Sequence, residues 1–337
     1  MKSVLPENPR SRAFALLAVL VLLTLAMYWP GLSGGFVFDD YPNIVTNPRV
    51  HLESLDWASL RRAAFAYEPG AYGRPLATVG FAVDYYLGGK NPWGYKLHGL
   101  MVHAINAALV FMLVLRLLAL PRVATERVAR WSSATAFTVA LLWAVHPLQI
   151  SSVLYVVQRM ETLSLTFVLL ALLSYLKGRR AQCDNTRGWP WLVLSAVLAA
   201  VGMLSKETAV LFPAYALALE LTVLRFDAAQ PKTSRALKTA FCAATVLATL
   251  AFFVLVLPRY TSPEVFSNRD FNLHERLLSQ LRVLPMYLGQ MLAPLPGALG
   301  FYYDTYPKST GWLNPVTTLL GGLFLSSLAS AALWLCK

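Results

Sequence analysis

Nine apolar stretches joined by polar or charged connections constrain this 337-residue chain more than any other feature. They cover 13–29, 97–118, 131–145, 162–176, 189–204, 208–224, 240–257, 277–295 and 313–335. A helix of about 20 apolar residues crosses the roughly 30 Å hydrocarbon core of a bilayer, and only helices or closed barrels satisfy their backbone polar groups there. Long runs without strand-like alternation therefore specify an all-α fold, a polytopic transmembrane helical bundle. The stretches 131–145 and 162–176 are short for a crossing, so their helices are expected either to extend into polar flanks or to stand in a bundle where neighbouring helices, not lipid, contact their ends. A composition of 57% apolar and 14% charged residues excludes an ordinary water-soluble domain. The expected organisation is one membrane domain over 1–337. It has a first transmembrane helix at 13–29, a structured extracytoplasmic loop with interfacial helices at 31–96, and the remaining spans at 97–335. No small-residue cleavage site follows Trp29, so an uncleaved first helix is expected, not a signal peptide.

Lysine and arginine orient such a bundle, because cytoplasmic loops retain positive charge. The N-terminus and the loops after the second, fourth and sixth stretches hold 15 bases and four acids, against 12 bases and 11 acids on the opposite side. The first set is assigned to the cytoplasm. The net charge of +12 is thus mostly topological. Short basic loops abutting spans suit anionic lipid headgroups, and no nucleic acid is expected as a partner. These basic loops are otherwise featureless. Cys183, Cys242 and Cys336 are too widely spaced to suggest a disulfide framework or a metal site. Tyr302, Tyr303, Asp304 and Tyr306 read as an interfacial anchor.

The loop at 31–96 carries the most information. Asp39 and Asp40 lie among Phe36, Phe38 and Tyr41, just past the first span. Two helices are predicted: Leu55 to Ala66, whose Trp57, Arg61 and Arg62 suit a helix lying flat on the interface, and Pro75 to Leu87, with proline at its entry and Gly88-Gly89 at its stop. Charges at a membrane boundary are costly unless paired or functional, which makes Asp39, Asp40, Arg159, Glu161, Lys206 and Glu207 the shortlist. A carboxylate there is suited to take a proton from an attacking hydroxyl, and cations such as Arg159, Lys206 and Arg74 to steady a departing phosphate. Each has a structural alternative: helix capping for the acidic pair, an ion pair for Arg159 and Glu161, a hairpin cap for Lys206 and Glu207. A divalent cation between Asp39 and Asp40 is a further option, without a third ligand motif to support it. His103 and Asn106 share a helical face and suit hydrogen bonds to another helix. His146 before Pro147 serves either to end its helix or to contact a donor.

The runs Phe36-Val37-Phe38-Asp39-Asp40-Tyr41, Gly73-Arg74-Pro75-Leu76, Asn91-Pro92-Trp93-Gly94-Tyr95-Lys96-Leu97-His98, His103-Ala104-Ile105-Asn106, His146-Pro147-Leu148-Gln149, Gln158-Arg159-Met160-Glu161 and Leu204-Ser205-Lys206-Glu207-Thr208 resemble those of GT-C membrane glycosyltransferases. They are most like the branch of tetratricopeptide-linked transmembrane O-mannosyltransferases (TMTC) and bacterial relatives. The likeness is good over 36–213 and loose beyond. It implies a GT-C bundle, a polyprenyl- or dolichyl-phosphate sugar donor, inversion at the anomeric carbon, and an acceptor hydroxyl on a protein, glycan or lipid. By position, Asp39 and Asp40 match the family's acidic motif, Arg159 and Glu161 a second charged motif, and Lys206 and Glu207 a third. A bacterial inner membrane or the endoplasmic reticulum is the implied location, with the site extracytoplasmic. Long family members continue into luminal helical repeats, and no such repeat is seen before Lys337. The rival readings are a transporter or flippase of lipid-linked sugars, for which matched repeats are missing, and a non-catalytic subunit of a glycosylation complex.

Overall fold

The structure is a computed structural model that describes residues 9–67, 73–267, 269–303 and 306–335. Helices dominate it, and the described residues contain no β-strand. Two compact units result, 1–234 and 235–337.

The first unit contains α1 (Pro9–Tyr28), α2 (Trp57–Ala64), α3 (Pro75–Gly88), α4 (Pro92–Leu118), α5 (Glu126–Ala144), α6 (Gln149–Leu154), α7 (Arg159–Cys183), α8 (Trp189–Met203) and α9 (Phe212–Leu219). Local signals set the boundaries. Asn91 accepts the Trp93 amide with Pro92 in the first turn of α4, and Thr125 accepts that of Val128 at the start of α5. Asp56 does the same for α2 through Ser59, so α2 begins after the cap, two residues later than Leu55. The stretch 162–176 is the middle of the 25-residue α7, which extends into its polar flanks as its length requires. The stretch 208–224 is less regular than expected: a 3-10 turn, Glu207–Leu211, precedes α9, and a π-helical turn, Glu220–Leu224, follows it.

Helix α4 packs against α1, α5 and α7, and α7 forms a hairpin with α8. Leu20, Ala107, Phe111, Ala136, Ala140 and Ala144 close the core between α1, α4 and α5, where alanines let the backbones approach. The loop between α1 and α4 has its own small core of Val50, Leu52, Ala63, Ala66 and Ala82, so it is folded. On α2, Ser59 and Ala63 turn inward while Trp57 stays exposed, leaving an aromatic outer face.

The second unit is entered through α10 (Pro231–Ala251), which continues by a π-helical turn, Phe252–Val256, into α11 (Leu257–Thr261). Asn272 and Glu275 form a capping box at the start of α12 (Leu273–Leu292), and α13 (Thr317–Leu335) packs on α12. Gly321 permits that approach, since a Cβ there would lie 2.1 Å from the Leu281 carbonyl oxygen. In the expected aromatic anchor, the Tyr303 hydroxyl folds back onto the Ala298 carbonyl and Tyr306 faces Arg282, while Asp304 is outside the described residues. Cys183 and Cys242 are free, and Cys336 is outside the described residues.

Each of the nine apolar stretches contains helix. Among the described residues, six helical segments are long and apolar enough to cross a membrane: Ser11–Ser33, Pro92–Leu118, Val156–Cys183, Glu207–Leu224, Pro231–Thr261 and Thr317–Trp334. Of the others, α8 is 15 residues long, α5 carries Arg127 and Arg130 near its start, and α12 carries Glu275, Arg276 and Arg282. The molecule is a multi-pass, all-helical membrane protein.

Candidate functional site

The seven residues 155–161, which lead into α7, are the hub of the site. The Tyr155 hydroxyl accepts the Asp39 amide at 2.9 Å, and the Val157 amide donates to Asp40 Oδ1 at 2.7 Å. Arg159 pairs with Asp84 of α3, Met160 Sδ receives Arg74 Nη1 at 3.1 Å, and Glu161 pairs with Lys206 at 2.9 Å. Arg74 reaches across to Glu207 at 3.0 Å, and the Leu76 amide donates to the Leu204 carbonyl. Three distant parts of the sequence, 39–40, 74–84 and 204–207, are thereby gathered on one helix start. Packing reinforces this: Ile44, Ala77, Phe81, Tyr95, Tyr155, Val156, Val157 and Met160 form one buried cluster, each large member worth about 1.5–3 kcal/mol of apolar burial.

The two acids of the pair have opposite environments. Phe38 has φ 41°, a left-handed conformation that is costly for an aromatic residue, and it turns the chain so that the next two side chains diverge. Asp39 is exposed. Asp40 is fully buried, with Oδ2 accepting the Val37 amide at 3.1 Å and Oδ1 that of Val157. Burial pushes the Asp40 carboxyl above the ordinary aspartate value, against the lowering effect of its backbone donors and of Lys96. Burial likewise pushes the Tyr155 hydroxyl up to about 12, so it stays a neutral hydrogen-bonding group. Both oxygens of Asp40 accept backbone amides within the protein, whereas Asp39 is exposed. No group of three or more metal-ligating side chains occurs among the described residues.

Tyr67 connects the acidic loop to the cations. The Arg74 guanidinium lies 4.3 Å from its ring centroid. Burial raises its hydroxyl, Arg74 opposes that, and the charges of Glu207 and Asp39 add to it, so Asp39 and the Arg74–Glu207 pair lie within electrostatic reach of one ring. All three shortlisted cations are already paired: Arg74 with Glu207, Lys206 with Glu161, Arg159 with Asp84. Arg159 is buried, stacks on the Phe81 ring at 4.5 Å, and leaves Nη2 without a hydrogen bond.

The remaining sequence candidates lie elsewhere in the bundle. His103 Nε2 bonds the Ala144 carbonyl of α5 at 2.9 Å; Asn106 donates to the Thr162 carbonyl at 2.7 Å and accepts from Thr166, tying α4 to α7. His146 accepts the Leu148 amide in its own turn. Four site residues were absent from the shortlist: Asp84, Lys96, His98 and Tyr155. His98 Nδ1 lies 3.1 Å from Asp84, and Lys96 is buried beside the acidic loop. The basic loops also prove less featureless than expected. Arg179, at the other end of α7, is buried and paired with Glu220 at 2.5 Å.

The fold and site define a multi-pass helical membrane protein whose acidic loop and paired cations meet at one helix start. Against known proteins, the chain is 34% identical over 200 residues to "Protein O-mannosyl-transferase TMTC3" of Mus musculus. It is 30% identical over 196 residues to "Protein O-mannosyl-transferase TMTC2" of Homo sapiens and 34% over 194 to "Protein O-mannosyl-transferase Tmtc1" of Drosophila melanogaster. These matches cover 58%, 56% and 56% of this chain and 20%, 22% and 20% of the relatives, so it spans about a fifth of their length. No family model and no solved structure matches.

Proposed function

We propose that this chain is a membrane-embedded glycosyltransferase that moves a mannosyl unit from a polyprenyl- or dolichyl-phosphate donor to a protein hydroxyl at the extracytoplasmic face. The observation that carries the reading is the contrast within the acidic pair. Asp40 is buried and locked to Val37 and Val157, while Asp39 is exposed and held by Tyr155 on the segment that positions Arg159 and Glu161. Similarity to relatives named as O-mannosyl-transferases supports the sugar and the reaction class.

In this mechanism the Asp39 carboxylate takes the proton of the attacking hydroxyl as its oxygen bonds the anomeric carbon. The bond from that carbon to the phosphate oxygen breaks on the opposite face, and its electron pair leaves with the lipid phosphate. One displacement inverts the centre. Asp40 acts as a positioning residue, because its oxygens are engaged inside the protein. Arg74 and Lys206, both partly exposed, exchange a carboxylate for the departing phosphate, and Arg159 holds Asp84 and the hub in place.

The test is transfer of radiolabelled mannose from mannosyl-phosphoryl polyprenol to a serine- and threonine-rich peptide by the reconstituted full chain. Transfer by the parent and a loss of about 10²-fold or more in Asp39→Asn is the expected result. No transfer by the parent, or equal transfer by a folded Asp39→Asn variant, overturns the reading.

A further inference from the structure

Three of the described lysines and arginines are buried: Arg159, Arg179 and Lys96. The first two are answered by carboxylates, Arg159 by Asp84 and Arg179 by Glu220. Lys96 is 5% exposed, and among the described residues no hydrogen bond or ion pair reaches its ammonium. The stem of this lysine is covered while no carboxylate contacts its ammonium, which leaves the charge open to an incoming anion. Asp40 acts on it through space, while its two oxygens accept the Val37 and Val157 amides.

The position of the ammonium identifies the partner's chemistry. Lys96 lies near the start of α4, under the loop that carries the acidic pair. A Cβ at Gly34 would come within 2.7 Å of its Nζ, so the lysine tip approaches that loop only where the loop lacks a side chain. Gly34 and Gly35 are both exposed, and a Cβ at Gly35 would meet nothing within 4 Å. The ammonium thus lies beneath a bare, exposed stretch of backbone, five residues before Asp39 in sequence at its nearest glycine. The cations expected to hold phosphate must each give up a carboxylate to do so. Lys96 gives up none.

We propose that Lys96 is a direct ligand of the phosphate group of the lipid-linked sugar, entering beneath Gly34. This rests on the transferase reading for the identity of the lipid. A lysine ammonium is a compact point charge suited to a phosphate oxygen, and the anion would supply the contact counter-charge that Asp40 does not.

The test is binding of farnesyl phosphate, with farnesol as the uncharged control, to the full chain in phosphatidylcholine nanodiscs. The parent is expected to prefer farnesyl phosphate, and Lys96→Gln to lose tenfold or more of that affinity with farnesol binding unchanged. Lys96→Arg should stay within threefold, and Lys90→Gln, at an exposed position outside the site, should match the parent. Gly34→Ala provides an independent arm that keeps the charge: its methyl group should crowd the ammonium and weaken farnesyl phosphate alone. A folded Lys96→Gln that binds farnesyl phosphate like the parent overturns the assignment, as does a parent that does not distinguish the two probes. Lys96-dependent competition by phosphatidylglycerol nanodiscs, strong enough to exclude farnesyl phosphate, would make the anion a bilayer headgroup and also overturn it. The two proposals fail separately. Lys96-dependent phosphate binding without sugar transfer sinks the transferase and leaves this site, whereas transfer with Lys96-independent binding does the reverse.

Discussion

The two ends of α7 bury an arginine each and use it differently. Arg159 and Arg179 are 20 residues apart, about 30 Å along a helix. At the Arg179 end, Glu220 accepts from Arg179 Nε at 2.5 Å, the Tyr175 hydroxyl at 2.6 Å and the Phe226 amide at 2.9 Å. The other guanidinium nitrogens donate to Gln182 and to the Asp227 carbonyl, so every nitrogen has a partner. At the Arg159 end, Nη1 donates to Asp84 and Nη2 to nothing, while Asp84 is shared with the exposed His98. A closed network satisfies itself and fixes structure. An open one beside an exposed carboxylate retains capacity for a ligand. Burial of a charge is common to both ends, so what separates them is whether its hydrogen bonds are all made.

The largest expected effect tests the open end. Asp39→Asn should lower transfer by about 10²–10⁴-fold, the usual contribution of a positioned base, while thermal stability stays within about 0.5 kcal/mol because the side chain is exposed. The second tests the closed end. Glu220→Ala strands Arg179 and should cost about 3–5 kcal/mol in detergent unfolding, with transfer per folded molecule unchanged. Loss of transfer in a folded Glu220→Ala protein would erase the distinction between the ends.

How much of this was legible follows from where each signal lies. Apolar length revealed the spans, and Pro75 with Gly88-Gly89 revealed α3, because helix entry and exit are local in sequence. Asp39, Arg159 and Lys206 stood out as charges at the edges of apolar runs. Glu161, the partner of Lys206, stood out in the same way, but the partner of Arg159 did not. Asp84 is 75 residues from Arg159, and Glu220 is 41 from Arg179, so these pairings are products of packing alone. Glu220 carried a usable signal nonetheless: an acid inside an apolar stretch requires an internal partner. Lys96 had a weaker one, a base in the first turns of a spanning helix. Tyr155 had none, since nothing in its neighbourhood indicates that its hydroxyl would receive the Asp39 amide.

A smaller effect sharpens the comparison within the open end. The Arg74–Glu207 pair is partly exposed, with side-chain accessibilities of 15% and 47%. Glu207→Gln should therefore cost no more than about 1 kcal/mol of stability. If Arg74 exchanges Glu207 for phosphate, the same variant should alter the affinity for farnesyl phosphate more than that for farnesol. Equal shifts for both probes would place Arg74 outside the phosphate path.

The smallest effect concerns pH and tests the buried environment of Asp40. Burial raises the folded-state pKa of Asp40 above its ordinary value of 3.8, so the folded protein binds the Asp40 proton more tightly than the unfolded chain does. The stability contributed by that proton is complete below pH 3.8 and is lost as the pH rises through the folded-state value. Asp40→Asn removes this dependence, and it also leaves one of the Val37 and Val157 amides facing a donor. Unfolding midpoints measured from acid to neutral pH should therefore show the variant's deficit at its largest in acid and shrinking toward neutrality. A deficit that instead grows toward neutral pH would mean that the amides of Val37 and Val157 outweigh desolvation, and that Asp40 is held as a stabilised carboxylate.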